Sequence, residues 1–133
     1  MKPEDMKKIS ELLSEKFDYV LVDCHAGVQD GFKNAVAACK EAIVVTNPEL
    51  LSAVRDADRV IGILNASDIE PIQLVINRVR PNMMASQEML SIEDVRSILS
   101  LPLLGIVLED VQLIISTNRG EPLTLTDSKS PAK

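Results

Sequence analysis

The chain has little to stack on and little positive charge. Among its 133 residues only Phe17, Tyr19 and Phe32 are aromatic, and there is no tryptophan. A stacking platform for single-stranded nucleic acid is therefore not expected. Acidic residues outnumber basic ones, 20 against 14, for a net charge of -6. That balance argues against holding nucleic acid by overall charge. A single histidine, His25, excludes any site that needs two imidazoles. Cys24 and Cys39 do not form a CxxC pair and the chain opens on no secretory signal, which together point to a reducing, cytosol-like compartment. Apolar runs last only a handful of residues, too short to span a bilayer.

What is present is globular. Hydrophobic residues make up 46% and charged residues 26%, and a chain of this length can build one core without disulfide or metal staples. Short β-branched runs alternate with longer helical patterns. Pro3, Glu4 and Asp5 suit a helix start, and Met6, Ile9, Leu12 and Leu13 recur at helical spacing over residues 3–15. Residues 17–23, FDYVLVD, read as a strand buried on both faces. Residues 24–31 read as a loop, and 30–40 as an Ala-rich helix with Cys39 as a small core residue.

The second strand is expected over 42–46, AIVVT. Asn47, Pro48 and Glu49 then suit a helix cap, first position and first turn, with a helix running to about Leu64 and Leu51, Val54, Ala57, Ile61 and Leu64 on its buried side. A third strand over 72–77 leads into a long polar loop over 78–89. Ser91 and Asp94 resemble a capping box opening a helix to Ser100. A fourth strand over 103–107 and a short helix over 109–117 precede a polar tail. The tail is expected to be disordered. The pattern specifies an α/β fold: a partial doubly wound parallel sheet of about four strands with flanking helices. Ligands in such sheets sit at the carboxyl ends of the strands. The residues to question are 23–27, 46–48, 77–80 and 108–110.

Asp23 ends an apolar run, and one carboxylate there can hold hydrated Mg²⁺ through water. Gly27 can bring a backbone N–H close to a phosphate. On spacing alone, a loop cap and a turn explain both residues. Asn77 has a donor and an acceptor for the edge of a nucleobase, and Arg78 or Arg80 can lay a guanidinium on its face. A chain-turning Asn and two solvated arginines fit the same residues. Cys24 beside His25 does not make a nucleophile pair, because adjacent residues in an extended segment point apart and no third group is visible. Arg55, Asp56, Asp58 and Arg59 form a charged helix face. Arg55 and Asp58 are spaced to pair, and the face is either solvated or a partner surface.

Taken in order, FDYVLVDCHAG, GFKNAVAACKEAIVVTNPE, AVRDADRVIGIL, NRVRP, MLSIEDV, LLGIVLED and STNRGEP resemble the ParA/MinD family of deviant P-loop ATPases. The resemblance covers residues 2–125 and is similar to the carboxyl-terminal part of the ATPase domain, leaving 126–133 as the tail. It implies a P-loop NTPase-type fold with ATP and Mg²⁺ as cofactors. It further implies that Asp23 orders Mg²⁺ through water and that residues 24–31 form a switch near the γ-phosphate. Asn77 and Arg78 then lie at the adenine end, with Glu109 and Asp110 in the loop closing over the nucleoside. The helix bearing Arg55, Asp56, Asp58 and Arg59 is implied to lie on the surface used for self-association and for the partners MinC and MinE. Intact members act in the bacterial cytoplasm or plastid stroma, dimerise with ATP on the inner membrane and hydrolyse it when MinE stimulates them.

The departures from the family pattern are specific. No GxxxxGKS/T segment or deviant KGGxGKT version occurs in the 133 residues, and the family's first-switch catalytic aspartate is expected upstream of Met1. This chain alone is thus expected not to hydrolyse ATP. His25 and Leu108 stand where the family usually has proline, and DSKSPAK has no apolar face for a membrane helix. In the family fold a further strand separates the segments that are here 18–23 and 42–46, so unpaired edges and association are expected. A stand-alone module competing for the same partners, or part of a ParA-like partitioning or flagellar-number ATPase, is the rival reading. A phosphate receiver is disfavoured, because Asp23, Thr46, Asn77 and Val107 do not supply its acidic cluster and lysine.

Overall fold

A computed structural model describes residues 2–25, 27–126 and 129–130. The elements run α1 (Pro3–Ser14), α2 (Asp30–Ala38), β1 (Ala42–Thr46), α3 (Leu51–Ala66), β2 (Ile72–Val79), α4 (Pro81–Ala85), α5 (Ile92–Leu99), β3 (Leu103–Leu108), α6 (Val111–Arg119) and α7 (Leu123–Thr126). The strands form a three-stranded parallel sheet in the order β1-β2-β3, flanked by helices.

Two compact units divide the chain. The first comprises residues 1–43 and 58–72. Here α1 lies against α2, and the Ser10 hydroxyl donates to the Ala38 carbonyl at 3.0 Å. Its buried apolar residues are Phe32, Ala35, Ile61, Leu64, Ile69 and Ile72. Cys39 ends α2 as its C-cap and is half-buried.

The second unit comprises residues 44–57 and 73–133. Leu74, Ile76, Val54, Val95 and Pro48 are its most completely buried apolar side chains. The expected capping box at Ser91 is formed in full. Its hydroxyl accepts from the Asp94 N–H at 3.0 Å, and its own N–H donates to Asp94 Oδ2 at 3.1 Å. Ser100 closes α5 in the left-handed region, φ 52°, and Gly120 closes α6 at φ 70°, a conformation glycine adopts without Cβ strain.

Several expectations are corrected. Three strands form among the described residues, not four, because residues 17–23 adopt no sheet pairing. A strand is stabilised by its neighbour's hydrogen bonds, and without one this segment leaves Tyr19 at 87% and Leu21 at 90% exposure. The helix expected from residues 47–49 begins at Leu51. Residues 47–50 are held as a loop instead, with Pro48 fully buried and its carbonyl accepting from the Leu90 N–H at 3.1 Å. The loop expected over 78–89 contains α4, started by Pro81 at a first-turn position where its missing N–H costs nothing. The expected tail over 126–133 falls largely outside the described residues, but Ser130 is buried.

Candidate functional site

The second unit gathers charged side chains from the carboxyl ends of all three strands. The run from β2 into α4 explains how. Ile72, Leu74 and Ile76 alternate on the buried side of the strand. A regular strand would put Arg78 next on that side and bury its guanidinium. The register with β3 shifts between Ile76 and Val79, and Arg78 adopts a left-handed backbone with φ 57°. This bulge turns Arg78 outward, its side chain 48% exposed, and gives the buried position to Val79. A non-glycine residue held there costs roughly 1 kcal/mol or more, so neighbouring contacts must offset it.

They come from two carboxylates. Glu49 follows β1, and Glu109 follows β3 directly, with its N–H bonded to the Val79 carbonyl at 3.0 Å. Glu109 Oε1 accepts from Arg78 Nε at 3.2 Å and Nη2 at 3.1 Å, while Oε2 accepts from Arg80 Nε. Glu49 presents Oε2 to Arg78 Nη1 at 3.6 Å and Oε1 to Arg80 Nη1 at 3.7 Å. Each carboxylate thus gives one oxygen to each guanidinium, closing a four-membered ring. The Arg80 hydrogen bond, seconded by Arg78, holds the Glu109 carboxyl far below the usual range, at about 2. The same bond raises Arg80.

Of the residues singled out in the sequence, Arg78 and Glu109 are brought into contact. Asn77, immediately before the bulge, is half-buried. Asp110 is committed locally: it is the N-cap of α6, accepting from the Gln112 N–H at 2.9 Å, and it accepts from the Ser130 hydroxyl. The Ser130 bond, then the Gln112 bond, lowers its pKa. Asn47 Oδ1, at the end of β1, is buried with no hydrogen-bond partner, an arrangement that costs free energy unless a donor arrives.

Asp23 and Gly27 belong to the other unit and lie in its irregular segment, both exposed. Gly27 has φ 100°, a backbone that excludes ordinary side chains, with nothing within 4 Å of where a Cβ would stand. No side chain of its own stands beside the Gly27 backbone. Among the described residues no group of three or more His, Cys, Asp or Glu could hold a metal. The lone exposed carboxylate of Asp23 fits a water-mediated contact to Mg²⁺ and no enclosing cage. Burial and then the Asp23 charge push the Cys24 thiol up, which disfavours a thiolate nucleophile beside His25. Arg55, Asp56, Asp58 and Arg59 are all exposed on α3. The expected Arg55–Asp58 pair is not among the ion pairs of the described residues.

Glu49 and Arg80 were not singled out as ring members. Glu49 read as a complement to a helix dipole, and Arg80 as either a guanidinium for the face of a base or a solvated arginine. The available signal was an acid just past each outer strand and two arginines spaced by two at the end of the middle one.

No protein-family model matches the chain. The fold is of the MinD/ParA P-loop NTPase type, as its structural neighbours are. By sequence the chain is a homologue of septum site-determining protein MinD over most of its length. It is 53% identical to MinD of Synechocystis over 127 residues, covering 96% of this chain and 47% of that one. MinD in the MinC:MinD cell division protein complex of Aquifex aeolicus superposes with a TM-score of 0.91 at 42% identity, over 99% of this chain and 55% of that one. MinD of Pyrococcus horikoshii, complexed with Mg-ADP, gives a TM-score of 0.85 at 27% identity, over 98% of this chain and 51% of that one. The chain spans about half the length of the curated relatives it matches.

Proposed function

We propose that this chain forms part of a MinD-type ATPase that positions the division septum, and that it supplies the adenine end of the nucleotide site and a partner surface. The observation that carries this is the strand-end cluster in which Asn77 adjoins the Arg78–Glu109 pair, within a chain 53% identical to MinD over 127 residues. Asn77 offers an amide to the base edge, and Arg78 a guanidinium to its face. Glu109 and Asp110 hold the loop beside them. By the family resemblance, Asp23 would hold Mg²⁺ through water and Gly27 would offer a backbone N–H to a phosphate. Mg-ATP, when bound, would supply the phosphoanhydride.

Phosphoryl transfer needs a cradle of backbone N–H groups and lysines, and the 133 residues contain no such loop. The chain by itself binds Mg-ATP only at millimolar concentrations or more weakly, and does not hydrolyse it. Titration calorimetry with Mg-ATP tests this, and micromolar affinity overturns it. The α3 face of Arg55, Asp56, Asp58 and Arg59 is the surface for self-association and for MinC and MinE. Membrane recruitment belongs to the intact family protein. No helix among the described residues is long and apolar enough to cross a membrane, and the proposed setting is bacterial cytoplasm or plastid stroma.

The exposure of all four α3 charges favours a second reading, a module that competes for the partners of MinD. Pull-down of MinC or MinE by this chain, lost on Arg55→Glu or Asp56→Lys, supports that surface. Binding unchanged by both substitutions means the face is solvated charge only.

A further inference from the structure

We propose that Glu49 is a specificity-determining residue: by occupying Arg78 and Arg80 it keeps the site from reading guanine and leaves the Asn77 amide to read adenine. The inference rests on the nucleotide reading above. Its physical basis is the difference between the two base edges. Guanine offers two acceptors, O6 and N7, which suit the paired donors of a guanidinium, whereas adenine offers an acceptor and a donor, which suit an amide. A site with two arginines beside one asparagine would therefore lean toward guanine unless the arginines were already engaged.

The ring engages them. Arg78 gives Nε and Nη2 to Glu109, and Nη1 faces Glu49 at 3.6 Å. Arg80 gives Nε to Glu109, and its Nη1 lies 3.7 Å from Glu49 and 3.4 Å from Met83 Sδ. Glu49 thus covers one terminal nitrogen of each guanidinium. Glu109 directly follows β3 and bonds back to β2, so its place is fixed by the sheet. Glu49 stands in the loop between β1 and α3, where the chain departs from helix to reach the arginines. The ring also holds the left-handed turn at Arg78, and that turn sets where the preceding Asn77 lies. Glu49 acts on the base through these two residues and does not itself touch it.

The test is an NMR titration of the ¹⁵N-labelled 133-residue chain with AMP and, separately, GMP, for the native sequence, Glu49→Gln and Glu88→Gln, an acid outside the ring. The native chain is expected to prefer AMP and to show shifts of the Asn77 side-chain amide resonances. Glu49→Gln is expected to lower the AMP-to-GMP affinity ratio about ten-fold, with Glu88→Gln unchanged. Glu49→Asp, which keeps the charge but shortens the reach, should move the ratio the same way by less and covers the case of a poorly folded Gln variant. An equal loss of both nucleotides in Glu49→Gln overturns the proposal in favour of a plain brace. An unchanged ratio with AMP still bound overturns it and leaves the nucleotide reading standing. Binding of neither nucleotide by the native chain at about 10 mM overturns this inference, because a site that reads neither base has no preference for Glu49 to set, and it leaves standing the reading of millimolar or weaker affinity.

Discussion

Glu109 Oε1 accepts two hydrogen bonds from the one guanidinium of Arg78, at 3.2 Å from Nε and 3.1 Å from Nη2, across the carboxyl ends of β3 and β2. The two strands are neighbours in the sheet, yet their backbone register breaks just before this point. Side-chain bonds thus take over where the backbone ladder loosens. The same pair lies in the candidate site, so its ionisation ties stability to the geometry that a ligand would meet.

A first expectation concerns pH. The Glu109 carboxyl is held at about 2, below its ordinary value, by the Arg80 hydrogen bond first and Arg78 second. A depressed folded-state pKa gives stability that is present above the unfolded value. That stability is lost as pH falls through the unfolded value toward the folded one. The stabilising effect of Glu109 should therefore be complete at neutral pH and vanish between the ordinary glutamate range and about 2. Urea midpoints of the native chain and Glu109→Gln, measured across that window, should differ at pH 7 and converge in acid. A difference that persists at the acid end would mean that the ring is not what Glu109 contributes.

The cap of α5 gives a second. Ser91 Oγ accepts from the Asp94 N–H, and Asp94 Oδ2 accepts from both the N–H and the hydroxyl of Ser91. Ser91→Ala removes the hydroxyl from two of these bonds and should destabilise the chain by about 1 kcal/mol. The Ser91 hydroxyl and then its N–H lower the Asp94 pKa, so part of the loss should disappear in acid. Ser91→Asn, another good cap, should recover most of it in chemical denaturation. No recovery would point to a different role for the hydroxyl.

Much of this fold is legible in the sequence, because period and caps are local. The strand over residues 42–46, the stripe of Val54, Ala57, Ile61 and Leu64, and the Ser91 box all follow from neighbours within a few positions, whereas Leu51, expected on the same stripe, is 43% exposed at the start of α3. What fails is non-local. FDYVLVD has the composition of a buried strand, but composition cannot supply a pairing partner, and residues 17–23 stay outside the sheet. Asn47, Pro48 and Glu49 look like a helix start, but Glu49 is drawn to arginines that lie about thirty positions further on. Within the site, Asn77, Arg78 and Glu109 were legible as strand ends. The bulge that aims them was not, because nothing in NRVR marks a left-handed arginine.

The core of the second unit yields a third expectation. Leu74 is fully buried in the middle strand, and Val95 is fully buried on α5. Leu74→Ala removes apolar contact and leaves a cavity, at a cost of about 2–5 kcal/mol. Such a loss is a large part of the stability of a domain this size. Leu74→Ala should therefore populate a partly unfolded state at 25 °C, seen as lost amide dispersion, while Leu74→Met should retain the native spectrum. Equal tolerance of both substitutions would mean that β2 is not the centre of this core.

The last concerns association. Residues 17–23 carry the composition of a strand and pair with nothing in the sheet, with Phe17 at 59%, Tyr19 at 87% and Leu21 at 90% exposure. β1 closes one side of the three-stranded order and exposes Ile43 at 54% and Val45 at 58%. An apolar edge with free backbone groups is a template for another chain, and apolar burial there stabilises contact by roughly 25 cal/mol per Å² removed from water. The weight-average mass in sedimentation should accordingly rise with concentration. The double substitution Tyr19→Lys and Leu21→Lys should lower that rise without changing helix content by circular dichroism, since neither side chain is part of a core. Ile43→Lys should lower it separately if the β1 edge contributes. A monodisperse monomer with a sharp, concentration-independent thermal transition would show that neither the unpaired segment nor the open edge drives self-contact.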